Sequence, residues 1–365
     1  MAASSIQSRQ NQLEQWLKEH FRLETLTLTP VSGDASFRRY YRFEHKYESF
    51  IAVDAPPEQE NSRLFVLIGA AYASQRVMVP RVISADFQLG FMCLEDLGDT
   101  LLIDKLDESD PKNAQLYYQK ALDLLPDIAQ VVELRDETLP NYDRAFLKRE
   151  LDLFNQWFLL KHLNIQLSEY EQRQLKQVFD HLITSALVQP RVGVHRDFHA
   201  RNLMITDEDK LAVIDFQDAV IGPITYDAVS LLRDCYINWP SDMVYQLLSY
   251  FKRQMSKQFI ELNHIDEADF ITWFDWMGLQ RHIKVCGIFS RLYHRDGKSG
   301  YLGDLPRVVT YIHEVAGRYS ELEDLVELLE NKVLPAMNAQ SQQSQSQQSQ
   351  SQQSQTQQSQ QMEVS

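Results

Sequence analysis

Apolar residues along this chain change their spacing several times, and the order of those changes restricts the fold more than any other feature. Residues 6–21 set Leu13, Trp16, Leu17 and Phe21 at helical intervals. Residues 23–31 then alternate, with Leu23, Leu26, Leu28 and Val31 among threonines, and stop at the turn chemistry Ser32-Gly33-Asp34-Ala35-Ser36. Aromatic-rich residues 37–43 and apolar residues 49–53 flank a second turn, so three consecutive strands read as an antiparallel meander. Asp54-Ala55-Pro56-Pro57-Glu58 reads as a helix start, with Asp54 as N-cap and the prolines in the first turn, running to about Arg76. Residues 80–86 and 91–97 form two more strands across Gln88-Leu89-Gly90.

From Leu116 the period becomes helical, with Phe146, Leu147, Leu151, Phe154 and Phe158 along one face. One island interrupts it, with short strands near residues 193–194, 203–205 and 211–214. Helical spacing returns from Tyr226 to about Leu334, broken by a polar loop at residues 294–304. The pattern predicts an α+β chain: an N-terminal antiparallel sheet lobe (1–97), a mostly helical C-terminal lobe (98–337) and a Gln/Ser tail (338–365). The tail cannot bury enough apolar surface to offset chain entropy and is expected to be disordered.

A formal net charge of -15 argues against broad binding to nucleic acid or an anionic membrane. No run approaches the roughly 20 apolar residues of a membrane-spanning helix, and residues 1–14 lack the apolar core of a secretory signal. Cys93, Cys235 and Cys286 are far apart and have no metal-site spacing, which predicts buried thiols in a reducing compartment. A cytoplasmic location is therefore expected.

The chemistry-bearing residues gather at the strand island. His195-Arg196-Asp197-Phe198-His199-Ala200-Arg201-Asn202 puts a carboxylate and an amide five residues apart on one loop. Asp215 ends the apolar run Leu211-Ala212-Val213-Ile214, where a buried strand would fix its position. Phosphoryl transfer needs the phosphates held, their charge neutralised by Mg²⁺ and the acceptor hydroxyl aligned beside a proton acceptor. Asn202 and Asp215 offer the oxygen ligands Mg²⁺ prefers. Protein kinases carry H-R-D-L-x-x-x-N followed by D-F-G; here Asp215-Phe216-Gln217-Asp218 replaces the second element.

With these motifs the chain resembles the aminoglycoside phosphotransferase and choline kinase family, a branch of the protein-kinase-like fold. His199, Arg201-Asn202 and Gly222-Pro223-Ile224-Thr225-Tyr226-Asp227 carry the likeness to that branch. Within it, four strings are similar to the bacterial N-acetylmuramate/N-acetylglucosamine anomeric kinases of cell-wall recycling. They are Asp34-Ala35-Ser36-Phe37-Arg38-Arg39-Tyr40, Asp54-Ala55-Pro56-Pro57, Leu231-Leu232-Arg233-Asp234-Cys235-Tyr236 and Gly287-Ile288-Phe289-Ser290-Arg291-Leu292. The resemblance implies a two-lobed fold with ATP and Mg²⁺ in the cleft and phosphate passed to the C1 hydroxyl of an amino sugar. It implies Asp197 as the catalytic aspartate, Asn202 and Asp215 as Mg²⁺ ligands, residues 91–97 as lobe connector with adenine on backbone groups near Glu95 and Leu97, and Ser32, Gly33 and Ser36 in the loop over the phosphates.

There are departures. The phosphate loop has one glycine, and the third strand reads Ile51-Ala52-Val53-Asp54 where kinases have V-A-I-K, so its lysine is missing. Arg38, Arg39 or Arg42 on the preceding strand offers a replacement, Arg39 and Arg42 being the assigned phosphate ligands; the alternative is arginines that face the surface or the substrate. On the acceptor side, Arg281, Lys284 and Arg291 recur at helical spacing and suit an anionic sugar, unless they form a solvated face or pair with Asp269, Asp275 and Asp296. Arg233 and Asp234 are a second acceptor candidate, with Tyr236 and Trp239 either stacking on the sugar or packing in the core. Two other readings stay open: a kinase for a cationic acceptor such as an aminoglycoside or choline, and a nucleotide-binding pseudokinase.

Overall fold

The computed structural model describes residues 2–31 and 37–342. In chain order it contains α1 (Ala2–Phe21), β1 (Thr29–Val31), β2 (Arg39–His45), β3 (Glu48–Asp54), α2 (Ser62–Ser74), β4 (Val82–Asp86), β5 (Phe91–Glu95), α3 (Pro111–Leu122), α4 (Leu125–Ala129), α5 (Arg144–Leu153), α6 (Glu169–Val188), β6 (Arg191–Val194), β7 (Leu203–Ile205), β8 (Leu211–Val213), β9 (Val220–Pro223), α7 (Tyr226–Leu232), α8 (Ser241–Met255), α9 (Glu267–Asp296), α10 (Leu305–Ala316) and α11 (Glu323–Leu328). By contact the chain divides into two compact units: Met1–Asn141 with Pro190–Glu267, and Tyr142–Gln189 with Ala268–Ser365. The lobe boundary expected at residue 97 falls inside the first unit.

In the first unit β1 to β5 form one antiparallel sheet in the order β1-β2-β3-β5-β4. The expected meander is its first half. Side chains alternate across a strand, so Tyr41 and Phe43 of β2, with Phe50 and Ala52 of β3, face one side, where they bury Leu13 and Leu17 of α1. Arg38, Tyr40 and Arg42 belong to the opposite parity.

Two element boundaries differ from the sequence expectation. Asp54 does not cap a helix: it ends β3, fully buried, held by Arg9 of α1 and by Arg39. Residues 57–59 form a turn, and α2 begins only after Asn61, whose side chain accepts the Leu64 N–H. β9 was not expected; it is short, carries Gly222 and Pro223, and pairs with β6. Gly193 of β6 passes so close to α4 that a Cβ there would lie 2.2 Å from the Val131 carbonyl oxygen.

The second unit is helical. The apolar face of α5 continues through a π-helical segment, Phe154–His162, with Leu147, Leu151, Phe154 and Phe158 buried. Helix also continues over residues 334–342, so the start of the Gln/Ser tail is ordered, and Gln340 donates to the His162 carbonyl. The rest of the tail lies outside the described residues. Among those described, no helix is long and apolar enough to cross a membrane. All three cysteines are buried and free, as expected, and burial pushes the Cys93 thiol up to about 12.

Candidate active site

The loop between β6 and β7 carries the His-Arg-Asp motif, and α7 holds it from beneath. The Asp227 carboxylate accepts the His195 N–H at 2.7 Å and the Arg196 N–H at 3.0 Å. Ser230, one turn later on α7, donates to the Arg196 carbonyl. These bonds fix a turn that would otherwise be strained, because Arg196 sits at φ 76°, in the left-handed region that L side chains disfavour. His195 is fully buried. Its Nε2 contacts the Ile214 carbonyl at 3.0 Å, while its Nδ1 accepts the Asp197 N–H, the roles of a neutral imidazole protonated at Nε2. Burial pushes its pKa below the usual value against the nearby Asp227 and Asp197 charges, which act the other way. The motif histidine thus ties its loop to Ile214, just before Asp215.

Asn202 closes the loop. Its N–H reaches the His199 carbonyl, and its side-chain amide donates to the Asp197 carbonyl at 2.9 Å and lies 3.4 Å from Asp215 Oδ2. The β7–β8 hairpin spaces the two residues, and Ile214 N–H bonds the Asn202 carbonyl. Asp215 stands at φ 61°, a conformation aspartate tolerates better than bulkier residues, and this turns its carboxylate towards Asn202. Gln217 donates to its other oxygen at 2.5 Å. The sequence-predicted trio Asp197, Asn202 and Asp215 is therefore assembled in one place. The Asn202 NH₂ faces both the Asp197 carbonyl and Asp215 Oδ2, and the hard donors this pair offers a cation are the Asp215 carboxylate and the Asn202 amide oxygen. One or two such oxygens are what Mg²⁺ needs when phosphates and waters supply the rest, so the residues fit that ion.

The sheet lobe meets this centre through an aromatic stack. Phe216 is fully buried, 4.6 Å from Phe65 and 5.7 Å from Tyr72 of α2, and Tyr72 in turn stacks on His195. Gly69 leaves room for the Phe216 ring, since a Cβ there would lie 3.2 Å from it. Tyr40 of β2 lies near Arg38 and senses the Asp215 charge; burial raises its pKa to about 12, so it stays neutral.

The two arginines expected on the phosphates have other duties. Arg39 faces α1 and pairs with Asp54 at 2.8 Å. Arg42 forks onto Asp96 and also bonds Asp99 in the segment after β5. Burial works against the Asp96 charge, but the bonds from Arg42, Ser49 and the Gly98 N–H outweigh it and hold the carboxyl below its usual range. Each arginine is committed to a carboxylate of its own lobe, so this geometry does not support the phosphate role assigned to them. Glu95 ends β5, where its N–H bonds the Arg81 carbonyl, and Leu97 follows it, half-buried. Ser32, Gly33 and Ser36 lie outside the described residues.

On the acceptor side, α7 leads into Arg233 and Asp234, both buried. Arg233 bonds the Tyr245 hydroxyl, and Asp234 accepts the Tyr236 N–H. The Tyr236 ring lies under the Arg201 guanidinium, 3.6 Å from its centroid, and meets His199 edge-to-face at 5.6 Å. Asp234 is thereby joined to the motif loop through Tyr236, by its backbone N–H on one side and its ring on the other. Trp239 is core, bonded to Tyr118. The basic cluster belongs to the second unit. There Lys284 is buried against Glu150 at 3.1 Å, and Glu150 also receives Tyr142 and Gln280. Arg281 is buried on the same helix, while Asp275 and Asp296 pair with Arg318 and Arg295. Burial and the neighbouring Arg295 lower the pKa of half-buried Arg291.

Asp227, Ser230, Gln217 and Tyr40 carry parts of this site that sequence reasoning left without a role. Asp227 was within reach, because it ends the string Gly222 to Asp227.

A five-stranded antiparallel lobe joined to a His-Arg-Asp loop and a hairpin that ends at Asp215 defines a kinase-fold phosphotransferase. The model of the phosphotransferase enzyme family matches residues 27–255, and the chain belongs to that family. An N-acetylmuramate/N-acetylglucosamine kinase of Pseudomonas aeruginosa is 44% identical over 303 residues, covering 83% of this chain and 87% of that one. A protein of the same name from Neisseria meningitidis is 42% identical over 328 residues, 88% of this chain and 95% of its own. Among solved structures, an ethanolamine kinase of Plasmodium vivax superposes with a TM-score of 0.59 at 11% identity, covering 85% of each chain. An aminoglycoside phosphotransferase in its apo form gives 0.52 at 16% identity, over 83% of this chain and 97% of the other. At such low identity these structures speak for the fold.

Proposed function

We propose that this enzyme transfers the γ-phosphoryl group of ATP to the anomeric hydroxyl of N-acetylmuramate, N-acetylglucosamine or both, with Mg²⁺ held by Asn202 and Asp215. The observation that carries the reading is that relatives at 42–44% identity over most of the chain bear the name of that kinase, on a chain that assembles Asp197, Asn202 and Asp215. Asp197 orients the sugar hydroxyl and receives its proton as the bond to phosphorus forms. Mg²⁺ neutralises the phosphate charge. Adenine rests on the backbone near Glu95 and Leu97, with the loop containing Ser32, Gly33 and Ser36 over the phosphates. Asp234 and Arg233 serve the sugar side, supported by the Tyr236 link to the catalytic loop. A cytoplasmic location, where ATP is available, belongs to the same reading.

Incubation with ATP, Mg²⁺ and each sugar is expected to give a sugar 1-phosphate, seen in NMR as phosphorus coupling to the anomeric proton and loss of the reducing end. Phosphate on C6 would refute the regiochemistry; no transfer to either sugar would refute the substrate. Chelation should stop turnover and added Mg²⁺ should restore it.

A further inference from the structure

Kinases of this architecture hold the nucleotide phosphates with a lysine on the third strand, steadied by a glutamate of the following helix. The equivalent strand here ends in Asp54, and the pleat aims that side chain at α1, where Arg9 and Arg39 hold it. A cation for the phosphates must therefore come from the other face of the sheet. Arg38 stands just before β2 and shares the parity of Tyr40, the residue that senses the Asp215 charge. Its side chain is 2% exposed. The guanidinium lies 3.2 Å from Glu60 and 5.2 Å from the centre of the Phe65 ring. Phe65 stacks on Phe216, the neighbour of Asp215, at 4.6 Å. Glu60 also accepts the Phe37 N–H at 3.2 Å, which fixes the carboxylate from the strand side. The arginine, its glutamate, two packed rings and the metal aspartate thus form one continuous assembly.

We propose that Arg38, steadied by Glu60, is the phosphate-binding cation that replaces the missing third-strand lysine. The inference rests on the reading of this site as a nucleotide kinase. The planar fork of arginine grips phosphate oxygens in pairs where lysine offers a point charge, so moving the cation to another strand is compensated by reach and geometry. Glu60 precedes α2 rather than standing on it. This fits a cation that approaches from the start of β2 instead of from the end of β3.

The test is equilibrium binding of ATP, ADP and adenosine by calorimetry to the full chain and to Arg38→Met, Arg38→Lys and Glu60→Gln. Losing a charge-assisted phosphate contact should weaken ATP and ADP about 10- to 100-fold in Arg38→Met, with adenosine binding unchanged. Arg38→Lys should recover most of that loss, and Glu60→Gln should show a smaller loss of the same selectivity. Unchanged ATP affinity in Arg38→Met, or an equal fall for adenosine and ATP, overturns the proposal, the second outcome marking a merely structural ion pair. If Arg38→Met does not fold, Glu60→Gln decides, since unchanged ATP binding there overturns it as well. A wild-type chain that binds no nucleotide refutes the kinase reading itself, which keeps the two failures apart.

Discussion

Replacing Asp227 by alanine tests whether α7 holds the catalytic loop. The carboxylate accepts two buried backbone N–H groups, from His195 and Arg196, at 2.7 and 3.0 Å. A hydrogen bond to a charged group contributes about 1.5–3 kcal/mol, so losing both costs about 3–6 kcal/mol. In a chain of this size 1 kcal/mol moves the melting temperature by about 2 °C, so Asp227→Ala should melt about 6–12 °C below wild type. The loop then relaxes and Asp197 drifts; a displacement near 1 Å costs about 10²-fold in rate. On the proposed reading adenine is held by the segment near Glu95 and Leu97, away from this loop, so the change should appear more in kcat than in the KM for ATP. Asp227→Asn keeps one acceptor oxygen but turns an NH₂ on the second N–H, and should fall between the two. The assay pairs a thermal melt with steady-state turnover. An Asp227→Ala protein that melts within 2 °C of wild type and keeps its kcat would show that the loop is held by something else.

Asp197→Ala should bind ATP as the wild type does and lose turnover by about 10²–10⁴-fold, the usual contribution of a positioned proton acceptor; full activity in that variant would remove Asp197 from the mechanism. Lys284→Met should destabilise by about 3–5 kcal/mol, since it strands Glu150 as a buried charge; a normal melting temperature with a raised sugar KM would instead make Lys284 a substrate contact. His195 gives a pH signature. Its native pKa is lowered by burial, so below about 6.5 the unfolded chain takes up a proton that the native imidazole refuses. Its contribution is complete above that pH and falls, by up to about 1.4 kcal/mol per pH unit, until the native value is reached. Melts of wild type and His195→Gln between pH 5 and 8 should show a shallower acid loss in the variant, and parallel curves would rule His195 out as the source.

The motif loop was legible because its chemistry is local. Asp197 and Asn202 lie five residues apart, and Asp215 closes a short apolar strand, so sequence order alone brings them together. The helix start at Asp54 misled for a physical reason: an aspartate followed by two prolines has the composition of an N-cap, and only the two arginines that bury it show that it ends a strand. β9 was hidden because a four-residue strand with glycine and proline has no period to read.

Arg39 and Arg42, expected on the phosphates and found paired with Asp54, Asp96 and Asp99, mark where sequence reading stops. Strand parity decides whether a side chain meets α1 or the catalytic loop, and a shift of one residue reverses it. Around Arg38-Arg39-Tyr40-Tyr41-Arg42-Phe43, cations and rings fall on both parities, so the hydrophobic pattern gives no vote. The vote comes from outside the strand: Leu13 and Leu17 of α1 take Tyr41 and Phe43, which sends Arg39 to Asp54 and leaves Arg38 and Tyr40 for Glu60 and Asp215. An amphipathic helix ahead of the sheet thus turns Arg39 away from the Asp215 side, whereas Arg42, on the same face as Arg38, is drawn off by Asp96 and Asp99. Substitutions at Leu13 or Leu17 should for that reason loosen β2 and weaken ATP binding measured by calorimetry, although both residues pack on the α1 side of the sheet.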